Sequence, residues 1–471
     1  MKNRRCGGVL MPIFALPGEY GVGSFGEGAR AFVRSLARGG FRIWQLLPFC
    51  LADEAHSPYK SPSSFSFDPW FVDIGTLAAQ GLLTEAERQS ALGRTEHTCE
   101  YSRLSERMEL LARAAARASE RADIRDRVRE TMARFPYLSE FCTFMAAREG
   151  EGRLWFWQFV ESEALSEWMA LKEYAASLGI RTVGDMPIYV SEESSEMAYH
   201  KEWFWLDENA RPAAVAGVPP DYFCEDGQLW GNPLYNWQRM QEDGFAFFRA
   251  RMEYMLTLFD GVRIDHFRGL SSFWAVPASA KSAREGRWVD APGYALIDAL
   301  RPLTAGRLVI AEDLGNITDE VRDLVRYSTF PGMRVLQFGF LSESDAVHLP
   351  HFYEKNTVAY TGTHDNNTLL GYMFSLPDSV RRRVLSYIGR EGEDFNTPPV
   401  YDALLRSLFS SAADTVILPM QDLLLFGEDT RFNTPGTREG NWAFRFTWQQ
   451  IAAAPWERMR RLLEIYGRTG N

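Results

Sequence analysis

The chain has few cysteines and no long apolar segment. Its five cysteines are scattered over 471 residues without a Cys-x-x-Cys pair, so the sequence predicts neither a zinc framework nor a disulfide scaffold. No stretch approaches the ~18 apolar residues of a membrane helix. The short apolar run at residues 9–16 contains a proline and lacks a small-residue cleavage site, which argues against a signal peptide. We therefore expect a cytoplasmic protein.

Positively charged residues are also fewer than negatively charged ones. The 51 Lys and Arg are outnumbered by 62 Asp and Glu, and the net charge of −11 is spread along the chain. This argues against nucleic acids and anionic membranes as partners, because both require a basic patch. Aromatic residues are abundant, with 14 Trp, 18 Tyr and 32 Phe. Most will fill a core, but a few exposed rings would suit stacking against a neutral sugar.

Short apolar runs bounded by turn residues recur along the chain and predict β-strands. The eight best candidates are residues 8–13, 43–47, 181–186, 262–265, 308–312, 334–338, 357–361 and 415–419. Helical patterns separate most of them, as at residues 25–39, 163–178 and 245–259. The pattern favours a parallel (β/α)8 barrel, although periodicity alone would also allow six or ten strands.

Two connections are too long for simple crossovers, and both lie within one catalytic domain predicted to span residues 1–471. Residues from about 77 to 157 have helical spacing (84–92, 101–118 and 124–134) and predict a helical insertion. Residues 191–237 are rich in Pro, Gly and Trp with little periodicity, and predict an irregular, lid-like loop. A final helical pattern at 456–466 leaves no room for a C-terminal β-sandwich.

Two of the predicted strands end in a carboxylate. Asp265 closes Gly261-Val-Arg-Ile-Asp-His, and Glu312 closes Val309-Ile-Ala-Glu-Asp-Leu-Gly. In a parallel barrel such residues face the active site, and paired carboxylates are typical of glycosidic-bond chemistry. Arg263 shares a side of its strand with Asp265 and could hold it ionised, although a structural ion pair explains the spacing equally well.

The environment of Glu312 differs from that of Asp265. The apolar run before Glu312 would raise its pKa and suit a general acid, although a helix N-cap at 312–313 is an equal alternative. A third phrase, Tyr360-Thr-Gly-Thr-His-Asp-Asn-Asn-Thr, follows another strand and offers His364 and Asp365. These two side chains could grip sugar hydroxyls, or belong to a tight polar turn.

Longer phrases add a resemblance that covers nearly the whole chain. They are Leu16-Pro-Gly-Glu-Tyr-Gly-Val-Gly, Ser57-Pro-Tyr-Lys-Ser-Pro-Ser-Ser-Phe-Ser, Gly184-Asp-Met-Pro-Ile-Tyr-Val, Gly217-Val-Pro-Pro-Asp-Tyr-Phe, Gly227-Gln-Leu-Trp-Gly-Asn-Pro-Leu-Tyr-Asn-Trp, Pro419-Met-Gln-Asp-Leu-Leu and Arg431-Phe-Asn-Thr-Pro-Gly-Thr-Arg-Glu-Gly-Asn-Trp. With the three carboxylate phrases, they resemble the active-site signatures of glycoside hydrolase family 77, the 4-α-glucanotransferases.

The resemblance implies a role for each site residue. Asp265 would be the nucleophile, Glu312 the general acid/base, and Asp365 a stabiliser that binds sugar hydroxyls and distorts the ring. Further implied sugar contacts are Tyr59, Ser57, Arg263, His266 and His364 around the donor glucose, Tyr222, Phe223, Gln228 and Trp230 on the lid-like loop, and Asn433 near the C-terminus.

The implied reaction is a retaining transfer between α-1,4-glucans. Its partners would be maltooligosaccharides, starch- or glycogen-derived glucans and glucose, and neither a metal nor another cofactor is expected. An α-amylase-like hydrolase is the alternative within enzymes, but such enzymes usually carry a C-terminal β-sandwich. A non-catalytic glucan-binding protein is the alternative outside enzymes, and it would be expected to lack at least one of the three carboxylates.

Overall fold

A closed barrel of eight parallel strands forms the centre of the molecule. The computed structural model describes residues 5–150, 152–220, 225–342, 344–437 and 439–470. Its strands are β1 (Cys6–Leu10), β2 (Ile43–Gln45), β3 (Arg181–Met186), β4 (Ala214–Val218), β5 (Gln228–Pro233), β6 (Gly261–Ile264), β7 (Ser272–Pro277), β8 (Arg287–Asp290), β9 (Leu308–Ala311), β10 (Gly332–Val335), β11 (Thr357–Tyr360) and β12 (Thr415–Pro419). The barrel order is β1-β2-β3-β6-β9-β10-β11-β12, and β12 pairs with β1.

Helices surround this barrel. They are α1 (Glu27–Arg38), α2 (Ile74–Ala79), α3 (Glu85–Ser90), α4 (Leu104–Ala118), α5 (Ala122–Arg134), α6 (Pro136–Glu149), α7 (Arg153–Ser177), α8 (Ser195–Tyr199), α9 (Trp237–Glu242), α10 (Ala246–Leu258), α11 (Gly293–Thr304), α12 (Asp319–Ser328), α13 (Leu369–Ser375), α14 (Asp378–Tyr387), α15 (Pro398–Ser410), α16 (Met420–Leu424), α17 (Trp448–Ala453) and α18 (Trp456–Ile465). In the part of the chain that the structure describes, no helix is both long and apolar enough to cross a bilayer.

The predicted (β/α)8 barrel is confirmed, with all eight strands in place and the ends of six of them shifted. The first strand ends at Leu10 rather than at residue 13, because Pro12 has no N–H to donate to the ladder. Residues Ile13–Ala15 form a short 3-10 helix instead. Strand β10 ends at Val335 rather than at residue 338, and Leu336–Phe340 also forms a 3-10 helix. Burial continues past both strands, so apolar pattern alone does not mark their ends.

The connection between β2 and β3 is helical. Helix α3 begins with a complete capping box, in which Thr84 and Glu87 satisfy each other's backbone N–H groups. Helices α4, α5 and α6 pack on α7, which runs for 25 residues beside the barrel. Helix α6 is not visible in the sequence pattern, because its apolar residues do not lie on one face of the helix.

Residues 191–237 are more regular than the sequence predicts. Strands β4 and β5 lie in this segment and pair with β7 and β8 in a four-stranded antiparallel sheet of order β5-β4-β7-β8. The prediction of an irregular loop is wrong for these residues. The pairing of β4 with β7 joins segments about 60 residues apart in the chain, and a register shift interrupts the pairing with β5. Both features hide the strands from a local pattern.

Candidate active site

The three predicted carboxylates lie at one end of the barrel. Asp265 directly follows β6 and Glu312 directly follows β9, and these strands pair with Ile264 opposite Ala311. Asp365 follows β11. Because the carboxyl ends of all barrel strands meet at the same rim, the three side chains share one face of the molecule. This is the face on which barrel enzymes carry their active sites.

Arg263 connects the nucleophile candidate to a fourth carboxylate. Its Nη2 lies 2.9 Å from Asp265 Oδ1, so the predicted ion pair forms. Its Nη1 donates to both oxygens of Asp185 at 2.8 Å each. Asp185 is opposite Arg263 in the pairing of β3 with β6, and its side chain is fully buried. Asp185 therefore fixes the guanidinium of Arg263 in the position in which it pairs with Asp265.

Glu312 is held by a backbone donor. His266 has a left-handed backbone (φ +48°, ψ +48°), which non-glycine residues seldom adopt. In this conformation its N–H donates to Glu312 Oε2 at 2.7 Å. No helix begins at Glu312, since α12 starts at Asp319, so the alternative explanation as a helix N-cap is wrong.

Burial acts differently on the two candidate catalytic groups. It raises the pKa of Asp265 to about 6, while the charge of Arg263 opposes the shift. Asp265 is then mostly ionised at neutral pH. Burial raises the pKa of Glu312 well above its ordinary value, and the neighbouring charge of Asp265 adds to the effect. The pair therefore combines an ionised carboxylate with a protonated carboxylic acid, as a nucleophile and a general acid require.

Asp365 is oriented by two side chains. Asn433 Nδ2 donates to its Oδ1 at 2.6 Å, and His364 Nε2 lies 3.3 Å from its Oδ2. Arg431 also donates to the backbone carbonyl of Asp365 at 3.2 Å. The Asp365 side chain remains 42% exposed, so its oxygens are fixed in direction while still open to a ligand. The structure thus brings Asn433, from the far end of the sequence, into the site.

Tyr59 extends this polar network. Its hydroxyl donates to Asp185 Oδ2 at 2.8 Å and lies 2.9 Å from His364 Nε2. Its ring stacks on His364 with centroids 5.3 Å apart. The hydroxyl of Ser57 accepts from the Tyr59 N–H at 3.4 Å, so its observed contact is support of the loop. Asp185 therefore links Tyr59 to Arg263.

Gln228 and Trp230 lie on β5 at the edge of the same site. Trp230 donates from Nε1 to Gln228 Oε1 at 3.1 Å, and its ring meets the His266 ring edge-on at 4.7 Å. Burial lowers the pKa of His266 to about 3, so this imidazole is neutral. The predicted contacts Tyr222 and Phe223 lie outside the described residues.

Sequence reasoning missed two residues of the site, Asp185 and Trp442. Asp185 lies within a buried strand rather than directly after one, but its phrase Gly184-Asp does carry an acid near the carboxyl end of β3. Trp442 is 3% exposed and its ring centroid lies 6.0 Å from those of both Tyr59 and His364. Its position depends on the fold of the C-terminal segment, which no local pattern reveals.

A surface cavity also lies away from this site. A cavity of about 670 Å³ lies between α1, α2 and α7, lined by Asp73, Glu163 and Glu167 among others. Asp73 accepts from Ser24 and caps α2, and these bonds give it a structural role. Among the residues that the structure describes, no three His, Cys, Asp or Glu side chains are grouped as a metal site would need.

Comparison with known proteins decides between the chemistries that this geometry allows. The family model described as 4-alpha-glucanotransferase, Glyco_hydro_77, matches residues 11–163 and 146–450. The chain belongs to glycoside hydrolase family 77. Two relatives named 4-alpha-glucanotransferase, from Streptococcus pneumoniae serotype 4 and Thermus thermophilus, are each 38% identical to this family 77 chain. The first comparison covers 99% of the chain and 98% of the relative, and the second covers 98% and 99%.

Solved structures agree with the family 77 assignment. The amylomaltase of Streptococcus agalactiae in complex with acarbose superimposes with a TM-score of 0.94 at 31% identity, over 99% of this chain and all (100%) of that one. The α-amylase of Geobacillus thermoleovorans reaches a TM-score of 0.52 at 9% identity, over 99% of this chain and 79% of that one. The second likeness shows a shared fold and nothing more.

Proposed function

We propose that the chain is a 4-α-glucanotransferase that moves an α-1,4-glucan segment from a donor maltooligosaccharide to glucose or to another glucan. One observation carries the proposal. Asp265 and Glu312 follow paired strands, and their surroundings favour opposite protonation states at neutral pH. Neighbouring strands lie about 4.8 Å apart, which permits the ~5–5.5 Å carboxyl separation of a retaining mechanism.

In the first proposed step, Asp265 attacks the anomeric carbon of the donor. The glycosidic C–O bond breaks as Glu312 gives its proton to the leaving oxygen, and a covalent glycosyl ester forms on Asp265. Glu312 is then a carboxylate beside Arg263. In the second step it takes the proton of an incoming 4-hydroxyl, whose oxygen attacks the anomeric carbon and releases Asp265. The anomeric configuration is inverted twice and so retained.

The polar network around Asp365 would hold the sugar between these groups. Its exposed oxygens, oriented by Asn433 and His364, can accept hydrogen bonds from ring hydroxyls. We assign it the stabilising and ring-distorting role that the family resemblance implies. The Tyr59 hydroxyl donates to Asp185 and also contacts His364, so it positions the His364 ring. The Tyr59 ring is proposed to stack against the sugar.

Transfer requires that a sugar reach the intermediate before water does. We propose that residues 191–237 cover the acceptor side and exclude water, with Gln228 and Trp230 contributing sugar contacts. Support comes from Trp230, which packs against His266 directly after the nucleophile. Tyr222 and Phe223 are also proposed to contact the acceptor, and this part of the proposal rests on the sequence alone. The proposed partners are maltooligosaccharides, starch- or glycogen-derived glucans and glucose. The proposed role is in carbohydrate metabolism, and the proposed location is the cytoplasm.

Incubation with maltotriose tests the function directly. We expect glucose together with a ladder of maltooligosaccharides longer than maltotriose, because the glycosyl ester is resolved by sugar. Separation of the products by anion-exchange chromatography gives the result. Only shorter products would favour the α-amylase-like alternative, and no change would favour a non-catalytic glucan binder. The Asp265→Asn protein, which is expected to form no products, serves as the negative control.

The pH dependence of kcat/KM should follow the two carboxyl groups. Asp265 must be ionised to attack and its pKa is raised to about 6, so activity should fall as the pH drops through about 6. Glu312 must be protonated and its pKa is raised well above the ordinary value, so the alkaline limb should lie well above pH 4.5. The two limbs report the interacting pair. An acidic limb centred near pH 4 would contradict the proposed state of Asp265.

A further inference from the structure

A row of residues crosses the antiparallel sheet beside the candidate site. Leu229 pairs with Gly217, Gly217 pairs with Trp274, and Trp274 pairs with Trp288. Paired residues of an antiparallel sheet place their side chains on the same face. Leu229 is 43% exposed and Trp288 is 39% exposed. The row thus begins on the strand that carries Gln228 and Trp230 and ends at the outer edge of the sheet. Its side chains lie on the face opposite to those of Gln228 and Trp230.

Trp288 is attached to the rim of the barrel through Arg268. The guanidinium carbon lies 3.8 Å from the centre of the Trp288 ring, and Arg268 itself is only 4% exposed. Arg268 donates to the carbonyl of Asn316 at 2.8 Å and to Ser272 at 3.0 Å. Asn316 is four residues beyond Glu312 in the sequence. The indole is therefore held next to the loop that follows the general acid.

Trp274 is fixed in a similar way on the other side. It meets Trp288 edge-to-face with centroids 5.1 Å apart, and its Nε1 donates to the carbonyl of Ala283 at 2.8 Å. Ala283 lies in the short 3-10 helix Ala283–Glu285, which also carries Arg284. The Arg284 Nε donates to Asp226 Oδ1 at 2.8 Å. Asp226 belongs to the segment proposed to cover the acceptor side. The two tryptophans thus lie between that segment and the loop after Glu312.

The chemistry of this surface suits a carbohydrate chain. Trp274 has used its only polar donor within the protein, so its ring offers an apolar surface. A rigidly held, half-exposed indole is a good partner for the C–H face of a glucose ring, since little side-chain freedom is lost on binding. Two indoles and one leucine make a patch far smaller than the ~800 Å² per partner of a stable protein interface. A narrow sugar chain fits this patch better than a folded partner.

We propose that Trp274 and Trp288 form an outer binding platform for the distant glucose units of a long acceptor glucan. The proposal rests on the proposed transferase function and adds a preference for acceptor length. A glucose acceptor occupies only the sugar position next to the anomeric carbon. A maltoheptaose acceptor extends over further sugar positions, and the platform is assigned to the outermost of them.

Substitution Trp288→Ala tests the platform in the full-length enzyme. With maltotriose as donor, we expect the KM for radiolabelled maltoheptaose as acceptor to rise about tenfold, equal to about 1.4 kcal/mol. The KM for radiolabelled glucose should not change. Trp288→Phe should retain most of the preference because a stacking ring remains. Tyr294→Ala removes an aromatic of similar exposure (50%) on α11 and should leave both KM values unchanged.

Two outcomes would overturn the platform. Equal losses for both acceptors would mean that Trp288 acts only by holding Arg268, and unchanged values would mean that it contacts no sugar. Titration calorimetry with maltoheptaose, in an Asp265→Asn background with and without Trp288→Ala, decides the binding claim without turnover. A wild-type chain without transfer products, whose Asp265→Asn form still binds maltoheptaose through Trp288, would refute the transferase function and keep the platform.

Discussion

Replacing Asp265 by asparagine is expected to lower the turnover of maltotriose by at least about 10⁴-fold. The amide is nearly the same size as the carboxylate but cannot form the glycosyl ester. Arg263 loses one anionic partner and keeps Asp185, to which it donates at 2.8 Å, so the guanidinium should stay in place. Binding should therefore survive. The rate of oligosaccharide formation and calorimetric titration with maltoheptaose measure the two quantities separately.

The matched control is Asp319→Asn. Its carboxylate is 89% exposed at the start of α12, on the connection that follows Glu312. This variant should keep the turnover of the parent. If Asp265→Asn loses binding together with turnover, the residue has a structural role. A retained rate would place the nucleophile elsewhere.

Replacing Glu312 by glutamine is expected to have the second-largest effect, a loss of about 10³-fold on maltotriose. Glutamine can accept the His266 N–H as Glu312 does, but it cannot protonate the leaving oxygen. A maltotriosyl fluoride donor separates the two steps, because fluoride leaves without a proton. We expect a rapid burst of one fluoride per enzyme, followed by slow release, since no base remains to activate the acceptor. Mass spectrometry should detect the trapped glycosyl-enzyme.

Glu320→Gln is the control for this experiment, because Glu320 is an exposed carboxylate on the same connection. It should turn over both substrates at the parental rate. A Glu312→Gln protein without a fluoride burst would show that Glu312 is needed before any proton transfer, and its role as acid/base would be refuted. Full activity on maltotriose would have the same consequence.

The barrel could be predicted from the sequence because its strands are buried on both faces. Runs such as that of β9 are apolar throughout, which marks a parallel strand without any partner being known. In the second sheet, β5 and β8 contain polar residues and lack this mark, and the apolar run of β4 has no partner strand that a local pattern identifies. Their pairing depends on contacts across tens of residues and on a register shift, and neither appears in a local window.

The candidate catalytic pair was predictable for the same reason, since each acid ends a buried strand. Asp185 was harder to predict because it lies within its strand, and only the register of β3 with β6 places it against Arg263. Arg263 was predicted to pair with Asp265 and to contact the donor glucose, and its pairing with Asp185 was not predicted. In the structure the effect of burial exceeds that of Arg263 and raises the pKa of Asp265 to about 6. Desolvation by the folded surroundings is a property that spacing along the chain does not contain.

The hydrogen bond that orients Glu312 comes from the main chain of residue 266 and not from its imidazole. Nineteen of the twenty amino acids carry that donor, and proline alone lacks it. Glycine, asparagine and aspartate reach the required positive φ with little strain, whereas β-branched residues do not. The placement of the acid therefore depends on the backbone conformation at this position and not on the imidazole. The imidazole ring meets Trp230 instead.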